Sequence, residues 1–144
     1  MLYDRLTELY NNMRLRHYRR IFSRVREKAG SLSATEAFSL DSVYLLGEPT
    51  IKQFSEFLGI SQPNATYKIA SLTEKGYITR TVSDEDHREA LLHVSDKFFS
   101  YYGDVTQFLE SAVGRLESSF SKEELASFGR VLEALNEMVK GEDI

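Results

Sequence analysis

The sequence predicts a mainly α-helical fold carrying one small β-hairpin, and three observations lead there. Apolar residues recur at helical spacing over four long stretches. Three capping boxes, Ser33-Ala-Thr-Glu36, Thr50-Ile-Lys-Gln53 and Ser121-Lys-Glu-Glu124, mark helix starts, each pairing a hydroxyl and a longer acceptor with orphan backbone N–H groups. Between Gly76 and Ser95 the pattern changes to two short strand-like runs, 77–82 and 89–94, around the polar tip Ser83-Asp-Glu-Asp-His-Arg88.

The elements follow in order. Leu2, Leu6, Leu9 and Met13, then Ile21, Phe22, Val25 and Ala29, predict a first helix to about residue 29, broken by Gly30-Ser31. Ser33 caps a second helix carrying Phe38, Leu40, Val43, Tyr44 and Leu45; Gly47 stops it and Pro49 marks the break. Thr50 opens a short third helix with Ile51, Phe54 and Leu58 on one face and Phe57 beside them. Gly59 supplies a turn, Ser61 caps a fourth helix to about Lys75, and Gly76 ends it before the hairpin. Helix, glycine turn, helix and hairpin make a winged helix-turn-helix, in which the second helix suits the major groove and the hairpin the adjacent minor groove. Ser95 then caps one helix through about Ser118, with Phe98, Phe99, Tyr102, Val105, Phe108, Leu109, Ala112, Val113 and Leu116. Ser121 starts a last helix with Leu125, Phe128, Val131, Leu132, Leu135 and Val139, and residues 141–144 are expected to fray.

The apolar surface from Ser95 onward is wider than a single core-facing stripe. It suits a second copy of the chain, and a two-fold dimer would set two reading helices one turn of DNA apart, about 34 Å. The expected organisation is one domain over 1–144, with 1–30 and 95–140 as dimerisation helices flanking a winged helix at 32–94.

Composition narrows the function. The 144 residues include no Cys, which excludes a disulfide framework, a thiolate zinc site and a thiol redox switch. His17, His87 and His93 are widely separated, so no metal site is expected, and no cofactor either. No Gly-rich phosphate loop, metal-ligand cluster or Ser/His/acid set points to an enzyme. The N-terminal residues lack a signal-peptide profile, and no apolar run nears the roughly 18 residues a membrane helix needs, so a cytoplasmic protein without a membrane partner is expected. The net charge is −4, unevenly spread: residues 1–30 hold eight basic and three acidic groups, whereas 47–94 hold five basic and seven acidic. A strong non-specific grip on DNA is therefore not written into the winged helix.

On the fourth helix Ala65, Ile69 and Leu72 share one face and should be core. Ser61, Gln62, Asn64, Tyr67, Lys68 and Ser71 then lie outward, with Thr66 at the edge. Gln and Asn can pair bidentately with adenine, Tyr and Lys suit phosphate, and Thr can meet a thymine methyl. An ordinary solvated face would carry the same residue types. Arg88 could enter an A·T-rich minor groove, or pair with Asp84 or Asp86; Asp86 reads as its orienting carboxylate. Arg16, Arg20 and Arg24, with Arg19, form a basic stripe that could face phosphates, an anionic effector, acidic groups such as Glu110 and Glu117 across a dimer, or solvent. Tyr10, Tyr18, Tyr44, Tyr102 and Phe108, with Tyr101 and Phe99, could line an effector cavity or be plain core.

Leu32-Ser33…Glu36, Thr50-Ile-Lys-Gln-Phe54, Leu58-Gly-Ile-Ser61, Leu72-Thr-Glu-Lys-Gly-Tyr-Ile78-Thr-Arg80, Asp86-His-Arg88 and Leu92-His-Val94-Ser95 occur in one order and spacing. Together they resemble the MarR family of transcriptional regulators over nearly the whole chain. The resemblance implies a homodimer with interlocked first and last helices, a palindromic double-stranded DNA operator and repression. It also implies release by small aromatic or anionic effectors held between the dimer helices and the reader. The family's thiol and zinc sensors need residues that this chain lacks or scatters. The expected function is a homodimeric, sequence-specific DNA-binding repressor. The alternative is a winged-helix module that docks another protein and reads no bases, which the acidity of 47–94 favours.

Overall fold

The computed structural model of the protein describes residues 1–23, 25, 31–102 and 105–141, with the side chains of 100–102 and 105 outside that description. The elements run α1 (Leu2–Phe22), α2 (Ala34–Leu46), α3 (Ile51–Leu58), α4 (Gln62–Glu74), β1 (Ile78–Val82), β2 (Ala90–Val94), α5 (Asp96–Tyr102), α6 (Val105–Ser119) and α7 (Lys122–Gly141). They form two compact units, Met1–Tyr101 and Tyr102–Ile144.

In the first unit local sequence decides where helices begin and end. Ser33 and Glu36 close the capping box of α2, and Thr50 and Gln53 that of α3, each with both reciprocal bonds. Gly47 (φ 66°) and Gly59 (φ 65°) end these helices in the left-handed region, where a Cβ would be strained. Glu48 follows Gly47 at φ 54°. This pair of left-handed residues turns the chain into Pro49 and Thr50, which lie along the hairpin: the Leu92 amide donates to the Pro49 carbonyl, and Thr50 bridges Leu91. The hairpin pairs antiparallel in the register Ile78 with Val94 through Val82 with Ala90.

The core lies among α2, α3, α4 and the hairpin. Ala37, Leu40 and Val43 from α2 are buried with Phe54 of α3, Ala65, Ile69 and Leu72 of α4, and Tyr77, Ile78 and Leu92. Ile21 joins from α1, Leu32 from the segment before α2, and Phe98 from α5. Phe57 points away from this core and is exposed, as are Leu45 and, in part, Phe38 and Tyr44. Helical spacing marks all of these as apolar but cannot separate a core face from one left open.

Two expected helices differ. The first ends at Phe22 rather than near residue 29: the Ser23 hydroxyl donates back to the Arg20 carbonyl, and Val25 bridges Leu32. The remainder of that stretch, including Ala29, lies outside the described residues. The single helix expected from Ser95 to Ser118 is two, α5 and α6; the intervening Gly103-Asp104, both poor helix formers, lies outside the described residues. Ser95 donates its hydroxyl to the Gly76 carbonyl, tying the start of α5 to the turn that follows α4.

The second unit is a helical hairpin. Ser121 and Glu124 form the third capping box at the start of α7. No residue of α7 is buried. Phe108, Leu109, Val113 and Leu116 of α6 and Phe128, Val131, Leu132 and Val139 of α7 remain between 37% and 60% exposed.

Phe54 and Phe57 are three residues apart and differ in burial. Phe54→Ala is expected to cost about 3–5 kcal/mol in urea unfolding, whereas Phe57→Ala should stay within about 0.5 kcal/mol.

Candidate nucleic-acid interface

α4 has three distinct sides. Ala65, Ile69 and Leu72 are fully buried. At about 100° per residue, Tyr67, Pro63 and Ala70 stand opposite that stripe; all three are exposed, Tyr67 to 77%. Gln62 and Thr66 lie on one exposed flank. Asn64, Lys68, Ser71 and Lys75, spaced i, i+4, i+7 and i+11, run down the other, beside the first turns of α2. Pro63 in the first turn gives up an N–H that would be an orphan in any case. The Ser61 hydroxyl accepts from the Asn64 amide, so Ser61 both caps the helix and sits at its exposed N-terminal end.

Ser71 is oriented differently from the sequence expectation. Its hydroxyl donates to Glu36 Oε1 at 2.7 Å, so it faces α2 rather than the outer surface. Lys75 Nζ donates to Glu36 Oε2 at 2.7 Å and to the Ser31 carbonyl at 2.8 Å. The Ser33 amide donates to the same carboxylate at 2.9 Å. Burial raises the Glu36 pKa, but the bonds from Lys75, Ser71 and Ser33 outweigh it and hold the carboxyl below its usual range. Lys97 completes the junction, with Nζ donating to the Lys75 carbonyl and lying 4.5 Å from the Tyr77 ring centroid.

The hairpin tip presents Arg88, its side chain 89% exposed. Asp86 holds it: Arg88 Nε donates to Oδ1 at 3.1 Å, Nη2 to Oδ2 at 3.2 Å, and the Arg88 amide to Oδ1 at 3.0 Å. The Arg88 side chain, and next its amide, lower the Asp86 pKa. The orienting carboxylate is thus Asp86 and not Asp84. Ser83, buried at the base of the tip, accepts from the Asp86 amide.

Other candidates are dispersed. Arg20 lies on the α2 side of α1, with Nη2 3.9 Å from the buried Asp41 carboxylate, which His17 Nε2 also approaches at 3.7 Å. That member of the basic stripe is structural, and Arg24 lies outside the described residues. Tyr10 and Tyr18 flank Arg14 on α1, at 5.5 and 5.8 Å from its guanidinium carbon to the ring centroids. Tyr44 meets the Phe98 ring at a tilt and the Phe99 ring edge-on, and lines a cavity of about 310 Å³ with Glu48, His93, Leu92 and Phe99. Phe108 belongs to the second unit, and the Tyr101 and Tyr102 side chains lie outside the described residues. Pro63, Ala70 and Thr35, which share the outer face or the groove beside it, carry no polar signal that sequence reasoning would notice, or sit on a different helix. Glu36 was legible only as a cap. Among the described residues no group of three or more His and carboxylate side chains could hold a metal ion, and no helix is long and apolar enough to cross a membrane.

Residues 32–90, from the strand-like start before α2 to the hairpin, match the family model described as MarR family. Over this region the chain is similar to the MarR family. The FabT protein of Streptococcus pneumoniae, solved in complex with DNA, is 26% identical over 96% of this chain and 95% of its own, with a TM-score of 0.62. A MarR-like transcriptional regulator from Thermotoga maritima matches at 21% identity over 94% and 97% of the two chains, with a TM-score of 0.57. A mutant form of MepR from a multidrug-resistant S. aureus clinical isolate matches at 14% over 96% and 97%, with a TM-score of 0.60. No curated protein matches the sequence. The fold is that of MarR-family transcriptional regulators, with the hairpin as the wing.

The depressed Glu36 pKa carries a pH signature. A carboxyl with a lowered folded-state pKa contributes its stabilisation fully above the unfolded value of about 4.3, and loses it as pH falls through the lower folded value. Thermal unfolding between pH 6 and pH 3 should show wild type losing melting temperature more steeply than Glu36→Gln below about pH 4.3; parallel curves would refute the pairing.

Proposed function

We propose that the protein is a homodimeric, sequence-specific DNA-binding repressor of the cytoplasm that binds a palindromic operator and is released by a small aromatic or anionic effector. The observation that carries this reading is the pairing of an exposed α4 face with an Arg88 held out from the wing by Asp86. α4 would enter the major groove, with Gln62, Asn64 and Thr66 toward base edges and Ser61, Tyr67 and Lys68 toward phosphate. Arg88 would reach the minor groove, its fork already fixed by the carboxylate, so little side-chain freedom remains to be lost on binding. Ser71, held by Glu36, stands outside this set of contacts. The relative that is 26% identical over nearly all of both chains was solved with DNA, which supports the same partner here.

Dimerisation is supported by the apolar faces of α6 and α7, together with Leu2, Leu9 and Met13 of α1, each more than half exposed. An effector site is supported by the cavity around Tyr44, His93 and Phe99, whose aromatic walls and few polar groups suit a small ring compound. The chemistry needs no catalytic group, and the protein is read as a non-enzyme.

One observation favours a second reading. A cleft of about 790 Å³ between α3 and the wing is lined by Glu48, Glu56, Asp84, Glu85 and Glu89. Such a surface would repel phosphate and would suit a basic protein partner, as a winged-helix docking module requires.

Titration on one duplex selected by the protein separates the readings. Arg88→Ala should weaken binding by about 30-fold, within the range of charge-assisted hydrogen bonds. The double variant Asp84→Asn, Glu85→Gln should tighten binding, most at low salt. If Arg88→Ala binds as wild type at every salt concentration, the wing is not a DNA contact and the docking module is favoured.

Self-association is tested on α7. Phe128→Lys with Leu132→Lys, one turn apart on an uncovered face, should shift the protein to monomer in sedimentation equilibrium without loss of helical circular dichroism. An unchanged dimer would remove this face from the interface.

A further inference from the structure

We propose that Glu36 is a positioning residue for DNA reading: its side chain fixes the rotation of α4 about its own axis, and so decides which side chains face the bases. The inference rests on the DNA-binding reading above and concerns a residue on a helix that need not touch a base at all.

The apolar stripe of α4, Ala65, Ile69 and Leu72, sets how closely the helix approaches the core. Apolar contact is non-directional, so burial of the stripe fixes the roll less sharply than a directed bond does. A roll of 100° would exchange Thr66 for Ala65 at the outer edge; burial of the stripe excludes a roll that large, and excluding the smaller rolls that still redirect a side chain falls to directed bonds. Glu36 takes Ser71 on one oxygen and Lys75 on the other, both at 2.7 Å, from two residues four apart on the same flank of α4. Two attachments along one flank define a roll, where one would define only a pivot.

The anchor is itself held at the start of α2. Glu36 is the third residue of α2, its carboxylate accepts from the Ser33 amide at 2.9 Å, and the Ser33 hydroxyl accepts from the Glu36 amide at 3.2 Å. The Glu36 and Lys75 side chains are only 17% and 26% exposed, so water competes little for the pair. Lys75 is also held by the Ser31 carbonyl, and is thereby committed to the fold rather than offered to phosphate. Asn64 and Lys68, further up the same flank, line the groove that opens directly above this junction. Their direction therefore depends on the attachment below them.

The test measures affinity of the full-length protein for a duplex selected by wild type and for a random-sequence duplex, at a temperature where circular dichroism shows each variant folded. Glu36→Ala should lower affinity for the selected duplex by at least about tenfold, leave affinity for random duplex and the salt dependence unchanged, and so reduce the preference. Glu36→Gln, which keeps the shape and one acceptor, should restore part of it. A purely structural role would instead weaken both duplexes together. A folded Glu36→Ala that keeps the full preference overturns the positioning role while leaving DNA reading intact. A wild type that shows no preference overturns DNA reading itself, and this inference with it. Should Glu36→Ala fail to fold, Ser71→Ala and Lys75→Met each remove one attachment. Reduced preference in folded forms supports the proposal, and undiminished preference in both overturns it.

Discussion

The docking of α4 on α2 is the constraint on which the rest of the reader depends. Three apolar side chains of α4 close the core with Leu40, Val43 and Phe54, and the Glu36 carboxylate locks the flank of the same helix through Ser71 and Lys75. From the end of α4 the chain enters the hairpin, so the wing inherits whatever orientation that docking sets. The Tyr77 amide bonds to the Leu72 carbonyl, Ser95 returns to Gly76 and Tyr77, and Lys97 reaches Lys75. Helix, wing and the start of α5 are thus one mechanically continuous piece.

Electrostatics shape how such a piece can bind an anion. The wing tip carries Asp84, Glu85, Asp86 and Glu89 around Arg88, with Arg80 on β1 as the hairpin's other arginine, and the cleft behind the tip adds Glu48 and Glu56. Counterion release, which drives non-specific DNA binding in basic proteins, has few cations to work with here. Two consequences follow for a DNA-binding reading. Affinity must come from directed contacts rather than from general attraction, and sequence discrimination should be high relative to total affinity. Asp86 serves that end by using one negative charge to hold the only wing-tip arginine in a fixed fork.

Much of the fold was legible because its signals are local. Ser33 with Glu36, Thr50 with Gln53 and Ser121 with Glu124 each cap the helix that follows, and Gly47 and Gly59 end theirs at positive φ. The glycine turn, the buried face of α4 and the hairpin also follow from the sequence, each within a residue or so. What escaped depends on partners distant in sequence. Ser71 looks like any outward polar residue until Glu36, thirty-five positions earlier, is placed beside it. Arg20 looks like part of a solvated stripe until the buried Asp41 is known. Phe57, Tyr44 and Leu45 have the spacing of core residues yet stay open, because periodicity reports that a face is apolar and not what covers it. The wing tip was partly legible: Asp86 and Arg88 are close enough in sequence to be paired by inspection, although Asp84 was an equal candidate.

On the proposed function, this chain reads DNA as a two-fold object through α4 and the wing. Selection by the intact, unmodified protein from a random-sequence duplex pool tests it most directly. Enrichment of a two-fold-symmetric motif whose half-site centres lie one helical turn apart, roughly 34 Å, with two chains bound per duplex, is the expected result. A pool that remains random through successive rounds, or a motif without symmetry bound by a single chain, would contradict it.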